Sequence, residues 1–216
     1  GQRRESGRGA RAGERAFAAG AVGTQAASRP WTMATMIGNG TDVVSFLKSQ
    51  HEQVKLMFAQ VLRAKGEQRT KAFNELRRTL AVHETAEEEI VHPAARRAIP
   101  DGDKIVEARL QEENKAKVAL SELEKLDVDS DEFESKFKTL QTDVIAHAES
   151  EEHEEFAKLS STIDEDRLQQ MRKAAELAEK VAPTRPHPGV ESATANLLAG
   201  PFASMLDRAR DAIAKH

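Results

Sequence analysis

Two segments of the sequence place a histidine and a glutamate four residues apart: His83 with Glu87, and His147 with Glu151. Residues at this spacing lie on the same side of an α-helix, one turn apart. In both segments the preceding apolar residues follow the same three- and four-residue spacing, so each pair continues the face that should be buried. Imidazole and carboxylate groups on a buried face can bind metal ions, whereas unpaired carboxylates there would be strongly destabilising.

Further metal-competent side chains fall on the inward faces of the other helices. His51 lies within an apolar series that runs from Val44 to Val61, and Glu113 follows Leu110 by three residues. Glu84, beside His83, could add another carboxylate after a slight rotation of its helix. The pattern therefore predicts a metal site whose six ligands are His51, His83, Glu87, Glu113, His147 and Glu151, with Glu84 as an additional candidate.

Each of these signals is weak when taken alone. A single histidine on an apolar face is usually a core residue, and four-residue polar pairs are common on solvated helix faces. A plain bundle with a different helical phase remains the alternative. His92, just before Pro93, is interpreted as a helix-end residue, and His153, Glu88 and Glu89 are interpreted as solvated.

The apolar periodicity predicts an all-α protein built around an antiparallel up-down four-helix bundle. Asp42 or Thr41 should cap the first helix, and Pro93 should close the second. Additional C-terminal helices are expected, one over residues 165–181 and a helical segment over residues 191–216. The four bundle helices are predicted at about 43–65, 67–91, 104–126 and 132–159.

Composition divides the chain into five segments. Residues 1–32 carry six arginines and two glutamates, which leaves a net charge near −8 on the rest of the chain. A transit peptide, a basic arm and sequence upstream of an internal start at Met33 or Met36 are all compatible with that segment. The predicted segments are a disordered basic extension (1–40), the bundle (41–163), an additional helix (164–182), a proline-rich linker (183–190) and an amphipathic C-terminal segment (191–216).

Composition also excludes several classes of function. The 216 residues include no cysteine, which rules out disulfides, thiolate metal sites and cysteine nucleophiles. No apolar run approaches the length of a membrane span. The acidic body argues against nucleic acid as the main partner. We therefore expect a cytoplasmic protein with neither a membrane nor a nucleic-acid partner.

The order of these motifs resembles the hemerythrin-like family, the HHE cation-binding domains. The resemblance covers about residues 42–160 and is carried by "HETAEEEIVHPAARRA" and "HAESEEHEEFAKL". It implies a non-haem pair of iron ions, bridged by carboxylate and oxo groups, with His51, His83, Glu87, His147 and Glu151 as ligands. The third helix reads "QEENKAK", so Glu113 lies where the family commonly has histidine.

The resemblance implies a small oxidant as the ligand: oxygen, hydrogen peroxide or nitric oxide. Iron is favoured over manganese and zinc. Zinc in particular usually needs only four ligands. Peroxide- or nitric oxide-dependent turnover is left open. The alternative is an iron- or oxygen-responsive sensor or interaction module without turnover, which would contact a protein partner or a second copy through its C-terminal segment.

Overall fold

A computed structural model of the chain describes residues 41–182. The predicted basic extension, the proline-rich linker and the amphipathic C-terminal segment lie outside the described residues. Within them the chain is helical and contains no β-strand. The five helices are α1 (Val43–Arg63), α2 (66–98), α3 (Gly102–Leu123), α4 (131–162) and α5 (Glu165–Val181).

The helix N-termini follow from local hydrogen bonding. Asp42 caps α1: its Oδ1 accepts hydrogen bonds from the backbone N–H groups of Val44, at 2.8 Å, and Ser45, at 3.1 Å. Ser130 caps α4 and Asp164 caps α5 in the same way. Each cap satisfies amide groups that have no partner inside the helix. The predicted starts of these three helices agree with the structure within one residue.

The predicted end of the second helix at Pro93 is wrong. Helix α2 passes from the α-helical stretch Gly66–Ala86 through a π-helical turn, Glu87–Val91, into the α-helical stretch His92–Ala98. Helix α4 has the same organisation, with a π-helical turn at Glu151–Phe156. A proline is tolerated in the first turn of a helical stretch because its missing N–H is not needed there.

The turn between α2 and α3 depends on close backbone contact. Asp101 adopts a left-handed conformation with φ 58°. A Cβ atom at Gly102 would collide with the backbone carbonyl oxygen of Ala95. This tight connection sets α3 against the C-terminal part of α2 and so places Glu113 opposite His92.

Two separate apolar clusters fill the bundle. One contains the stacked rings of Phe133 and Phe137 together with Phe58 and Phe73. The other contains Phe156 and the buried face of α5. Along α1 and α2 the polar residues occur where one cluster gives way to the other, so the bundle keeps a polar layer between two apolar ones. The predicted up-down four-helix bundle with an additional helix is confirmed.

Candidate metal centre

The six ligands predicted from the sequence converge in this polar layer. His51, His83, Glu87 and Glu151 form one group of donor atoms, all within 4.8 Å of one another. A second group, within the same limit, consists of Glu113, His147 and again Glu87 and Glu151. The two groups therefore share both glutamates of the His-x-x-x-Glu pairs.

Neighbouring donor atoms lie at the distances found around one metal ion. The Nε2 atoms of His51 and His83 are 3.1 Å apart. His83 Nε2 lies 3.2 Å from Glu87 Oε1, and His147 Nε2 lies 3.4 Å from Glu151 Oε2. Donor atoms about 3 Å apart are adjacent corners of an octahedron whose metal–ligand bonds are roughly 2.1 Å.

The two shared carboxylates fit a cation better than they fit their protein surroundings. Glu87 and Glu151 are both 0% exposed. None of their four oxygen atoms accepts a hydrogen bond from the described residues, and His147 Nε2 also has no hydrogen-bond partner there. Buried carboxylate oxygens without partners are strongly unfavourable, and a bound cation would remove that cost.

The Nδ1 atom of each proposed histidine ligand contacts an oxygen acceptor outside the two groups. His51 Nδ1 lies 2.9 Å from Glu152, and His147 Nδ1 lies 3.0 Å from Glu112. His83 Nδ1 lies 2.7 Å from the side-chain oxygen of Gln50. Such contacts orient the rings of metal-binding histidines and leave Nε2 available for the ion.

Both π-helical turns begin at a shared glutamate. The first starts at Glu87 and the second at Glu151. In the first, the N–H of His92 donates to the carbonyl of Glu87, five residues earlier. A π-helical turn inserts one extra residue and is frequent at functional sites. Here it changes the helical phase directly after each His-x-x-x-Glu pair.

The two histidines of the first group have pKa values shifted in opposite directions. Burial opposes the charged form of His51, but contacts with Glu151 and Glu87 raise its pKa to about 10. Burial together with nearby His51 lowers the pKa of His83 to about 3. In the metal-free protein His51 is therefore the charged member of this pair and His83 the neutral one.

The shared carboxylates are affected in opposite directions. Burial and the nearby charge of Glu151 raise the pKa of Glu87 to about 8. Burial acts on Glu151 as well, but His147 and His51 together hold the pKa of Glu151 well below its usual range. Two carboxylates this close do not both ionise easily without a cation between them.

Lys117 compensates the negative charge beside the second group. Its buried Nζ contacts Glu88 and lies 3.5 Å from both Glu84 and Glu113. Burial opposes the charge of Lys117, but these carboxylates raise its pKa above the usual value. Glu84 thus lies against Lys117 and in neither donor group. The interpretation of Glu88 and Glu89 as solvated is wrong, because Glu89 is 1% exposed and Glu88 faces Lys117.

His92 and Glu155 also belong to the polar layer, although the sequence pattern did not predict this. His92 is 2% exposed, and its Nδ1 and Nε2 atoms lie 2.9 Å from Glu155 and 2.8 Å from Glu113. His92, Glu151 and Glu155 form a third group of donor atoms within 4.8 Å. The sequence does contain a signal: His92 follows Glu87 by five residues, and Glu155 follows Glu151 by four. His153 is exposed, as expected.

A small cavity of about 20 Å³ reaches the histidines. Its lining consists of His51, His83 and His147 together with five apolar and two charged side chains. Such a volume holds about one small molecule. The other lining residues are Val54, Lys55, Leu80, Glu84, Val144, Ile145 and Ala148.

Among residues 41–182, no helix combines the length and the apolar character that crossing a bilayer requires.

The fold and the donor groups define a cation-binding helical bundle. The family model described as "Hemerythrin HHE cation binding domain" matches residues 42–159. The chain belongs to this family of metal-cation-binding domains, which confirms the membership expected from the sequence.

Two individual proteins are similar to the chain. A solved structure of a hemerythrin HHE cation binding domain-containing protein from Mycobacterium kansasii is 19% identical, with a TM-score of 0.58, over 78% of this chain and 98% of that one. A curated protein of Nostoc sp. (strain PCC 7120 / SAG 25.82 / UTEX 2576), described as a DNA nickase, is 22% identical over 130 residues. That match covers 60% of this chain and 36% of the relative, so the chain spans about a third of that protein's length.

Proposed function

We propose that the chain is a non-haem di-iron protein of the hemerythrin type that binds or reduces a small oxidant. The observation that carries this proposal is the overlap of two donor groups in the same two carboxylates, Glu87 and Glu151. One ion would be held by His51 and His83, the other by His147 and Glu113. Each shared glutamate has two oxygen atoms without a hydrogen-bond partner, one for each ion.

The chemistry of the donors supports iron. The two groups contain imidazole nitrogen and carboxylate oxygen and, since the chain has no cysteine, no thiolate sulfur. This mixture suits iron or manganese, whereas a structural zinc ion is usually satisfied by four ligands. An iron pair would supply redox chemistry and an open coordination position for a small ligand.

The cavity supports a ligand of very few atoms. Its volume of about 20 Å³ is on the scale of one water-sized molecule, which favours a ligand of two or a few atoms over a larger substrate. The apolar side chains of Leu80 and Val144 line the cavity together with the three histidines. Phe156 stacks on the ring of His51, with centroids 5.7 Å apart, and helps to keep that ring in place.

Iron analysis and an absorption spectrum of the aerobically purified full chain test this proposal. We expect about two irons per chain and ferric charge-transfer bands, because two of the donor groups share both Glu87 and Glu151. Glu87→Ala should remove most of the iron. Glu75→Ala, an exposed position on the same helix, is the matched control and should retain it. A colourless wild-type protein that takes up no iron would overturn the proposal.

A sensor or interaction module without turnover is the second candidate. It is supported by a hydrogen bond from Gln50 to Glu179 of α5, a helix beyond the residues that match the family model. Because Gln50 also contacts His83, occupancy of the first donor group could be communicated to α5. Hydrogen peroxide consumption by the iron-loaded chain tests the second candidate, because steady turnover would contradict a module without turnover.

A further inference from the structure

The two donor groups differ in their nitrogen ligands. The first group holds two imidazoles, His51 and His83, whereas the second holds only His147 together with Glu113. A second nitrogen for this group would have to come from another residue, and its assignment rests on the two-ion site proposed above.

His92 has the same arrangement of contacts as the three proposed histidine ligands. Its Nδ1 lies 2.9 Å from Glu155 Oε1. In the other three rings the corresponding distances to Glu152, Gln50 and Glu112 are 2.9, 2.7 and 3.0 Å. An acceptor at Nδ1 leaves Nε2 as the nitrogen that can bind an ion.

The Nε2 atom of His92 points to the second donor group. It lies 2.8 Å from Glu113 Oε1, close to the 3.1 Å that separates the two imidazole nitrogens of the first group. His92 also forms a donor group with Glu151, which belongs to both ion positions. The His92 ring is therefore close to two carboxylates of the second position, with Nε2 beside Glu113.

The π-helical turn of α2 explains how a residue beyond Glu87 reaches this position. In a regular α-helix a residue five positions further on lies about 140° around the axis. The turn Glu87–Val91 contains one extra residue, and the N–H of His92 bonds to the carbonyl of Glu87. His92 is thereby rotated back to the face that carries Glu87.

We propose that His92 is the second nitrogen ligand of the ion held by Glu113 and His147. Each ion then has two imidazoles and shares the carboxylates of Glu87 and Glu151. Glu155 is a positioning residue that orients the His92 ring through Nδ1.

Cobalt(II) substitution of the full chain tests this assignment. In proton NMR spectra each histidine bound to cobalt through Nε2 gives one exchangeable, strongly shifted signal from its Nδ1–H. We expect two cobalt ions per chain and four such signals from the wild type. His92→Gln should remove one signal and weaken binding of one cobalt ion by about tenfold or more.

Two further variants separate ligation from a structural role. His153→Gln changes an exposed histidine and should retain all four signals. Glu155→Gln should keep four signals and shift the one that His92→Gln removes, since it alters only the acceptor at Nδ1.

The wild-type spectrum decides the question even if His92→Gln does not fold. Two bound cobalt ions with only three shifted signals would overturn the assignment of His92 and leave the two-ion site intact. Binding of fewer than two ions by the wild type would instead overturn the proposed two-ion site.

Discussion

Gln50 and Glu179 join the fifth helix to the donor groups. Gln50 Nε2 donates to Glu179 Oε1 across 2.7 Å, and Gln50 Oε1 lies 2.7 Å from Nδ1 of His83. One amide thus satisfies a ring nitrogen on one side and a carboxylate on the other. Burial raises the pKa of Glu179 to about 7, against the opposing effect of its hydrogen bond with Gln50.

Disrupting this connection should weaken metal binding without removing a ligand. In Glu179→Ala the amide N–H of Gln50 loses its acceptor. Gln50 is then held less firmly, and it orients the His83 ring less well. We expect a loss of about 10–100-fold in affinity for one ion, as is typical of groups that orient metal ligands. Isothermal titration with Mn(II) measures it. Asp166→Ala, an exposed position on α5, is the control, and an unchanged affinity in Glu179→Ala would contradict the prediction.

Glu87→Gln should have opposite effects on the metal-free and metal-loaded protein. In the wild type, both carboxylate oxygens of Glu87 are buried without hydrogen-bond partners among the described residues. Replacing the carboxylate by a neutral amide should raise the free energy of unfolding of the metal-free chain by about 1–3 kcal/mol. The same change should abolish the stabilisation that iron confers on the wild type. Urea denaturation with and without Fe(II) tests both parts, and a destabilised metal-free variant would refute the first.

The stability of the metal-free protein should fall as the pH rises from about 7 to about 9. The pKa values of His51 and His147 are raised to about 10 and about 9, against 6.5 when unfolded. The pKa of Glu87 is raised to about 8, against 4.5. The folded state therefore binds more protons than the unfolded state over this range, and stability decreases with pH. His83, whose pKa is lowered to about 3, acts in the opposite direction only at lower pH.

Metal affinity should rise over the same pH range, because His51 and His147 must lose their protons to bind an ion. Titrations in buffers of different ionisation enthalpy count the protons released. Urea denaturation of the metal-free chain at the same pH values measures the stability change. An affinity independent of pH, or a metal-free stability that increases with pH, would contradict these assignments.

Lys117→Met should destabilise the metal-free chain strongly. The substitution keeps most of the side-chain volume but removes the charge that faces Glu84, Glu88 and Glu113. Removing one partner of a buried ionic cluster typically costs about 3–5 kcal/mol. Chemical denaturation measures the loss. Lys115→Met changes an exposed lysine of the same helix and should have little effect.

Arg69→Met should destabilise the fold without altering the metal site. The guanidinium of Arg69 is 1% exposed and donates to the backbone carbonyls of Val61, Leu62, Ala64 and Val128. Its loss leaves several buried acceptors unsatisfied, for an expected cost of more than about 3 kcal/mol. Thermal unfolding measures it, with the exposed Arg63→Met as control. Iron content per folded chain should stay unchanged in both variants.

The positions of the bundle helices and six of the donor residues could be predicted from the sequence. Helical periodicity is local, so His83 and Glu87 must share a face with Leu80 wherever the helix packs. The same reasoning applies to His147 and Glu151. That the two pairs belong to neighbouring ions is an expectation from the repeated motif and the family resemblance, and it remains part of the proposed function.

Other features of the site depend on tertiary structure alone. A π-helical turn after Glu87 changes the helical phase of α2, so a regular period assigns Glu89 and His92 to the wrong faces. The burial of Glu88 depends on Lys117 of α3, and the orientation of His83 depends on Glu179, 129 residues from Gln50. The sequence by itself determined which residues each regular helix turns inward, because that follows from a local repeat. Packing between distant helices decided where that repeat is interrupted and which charges meet.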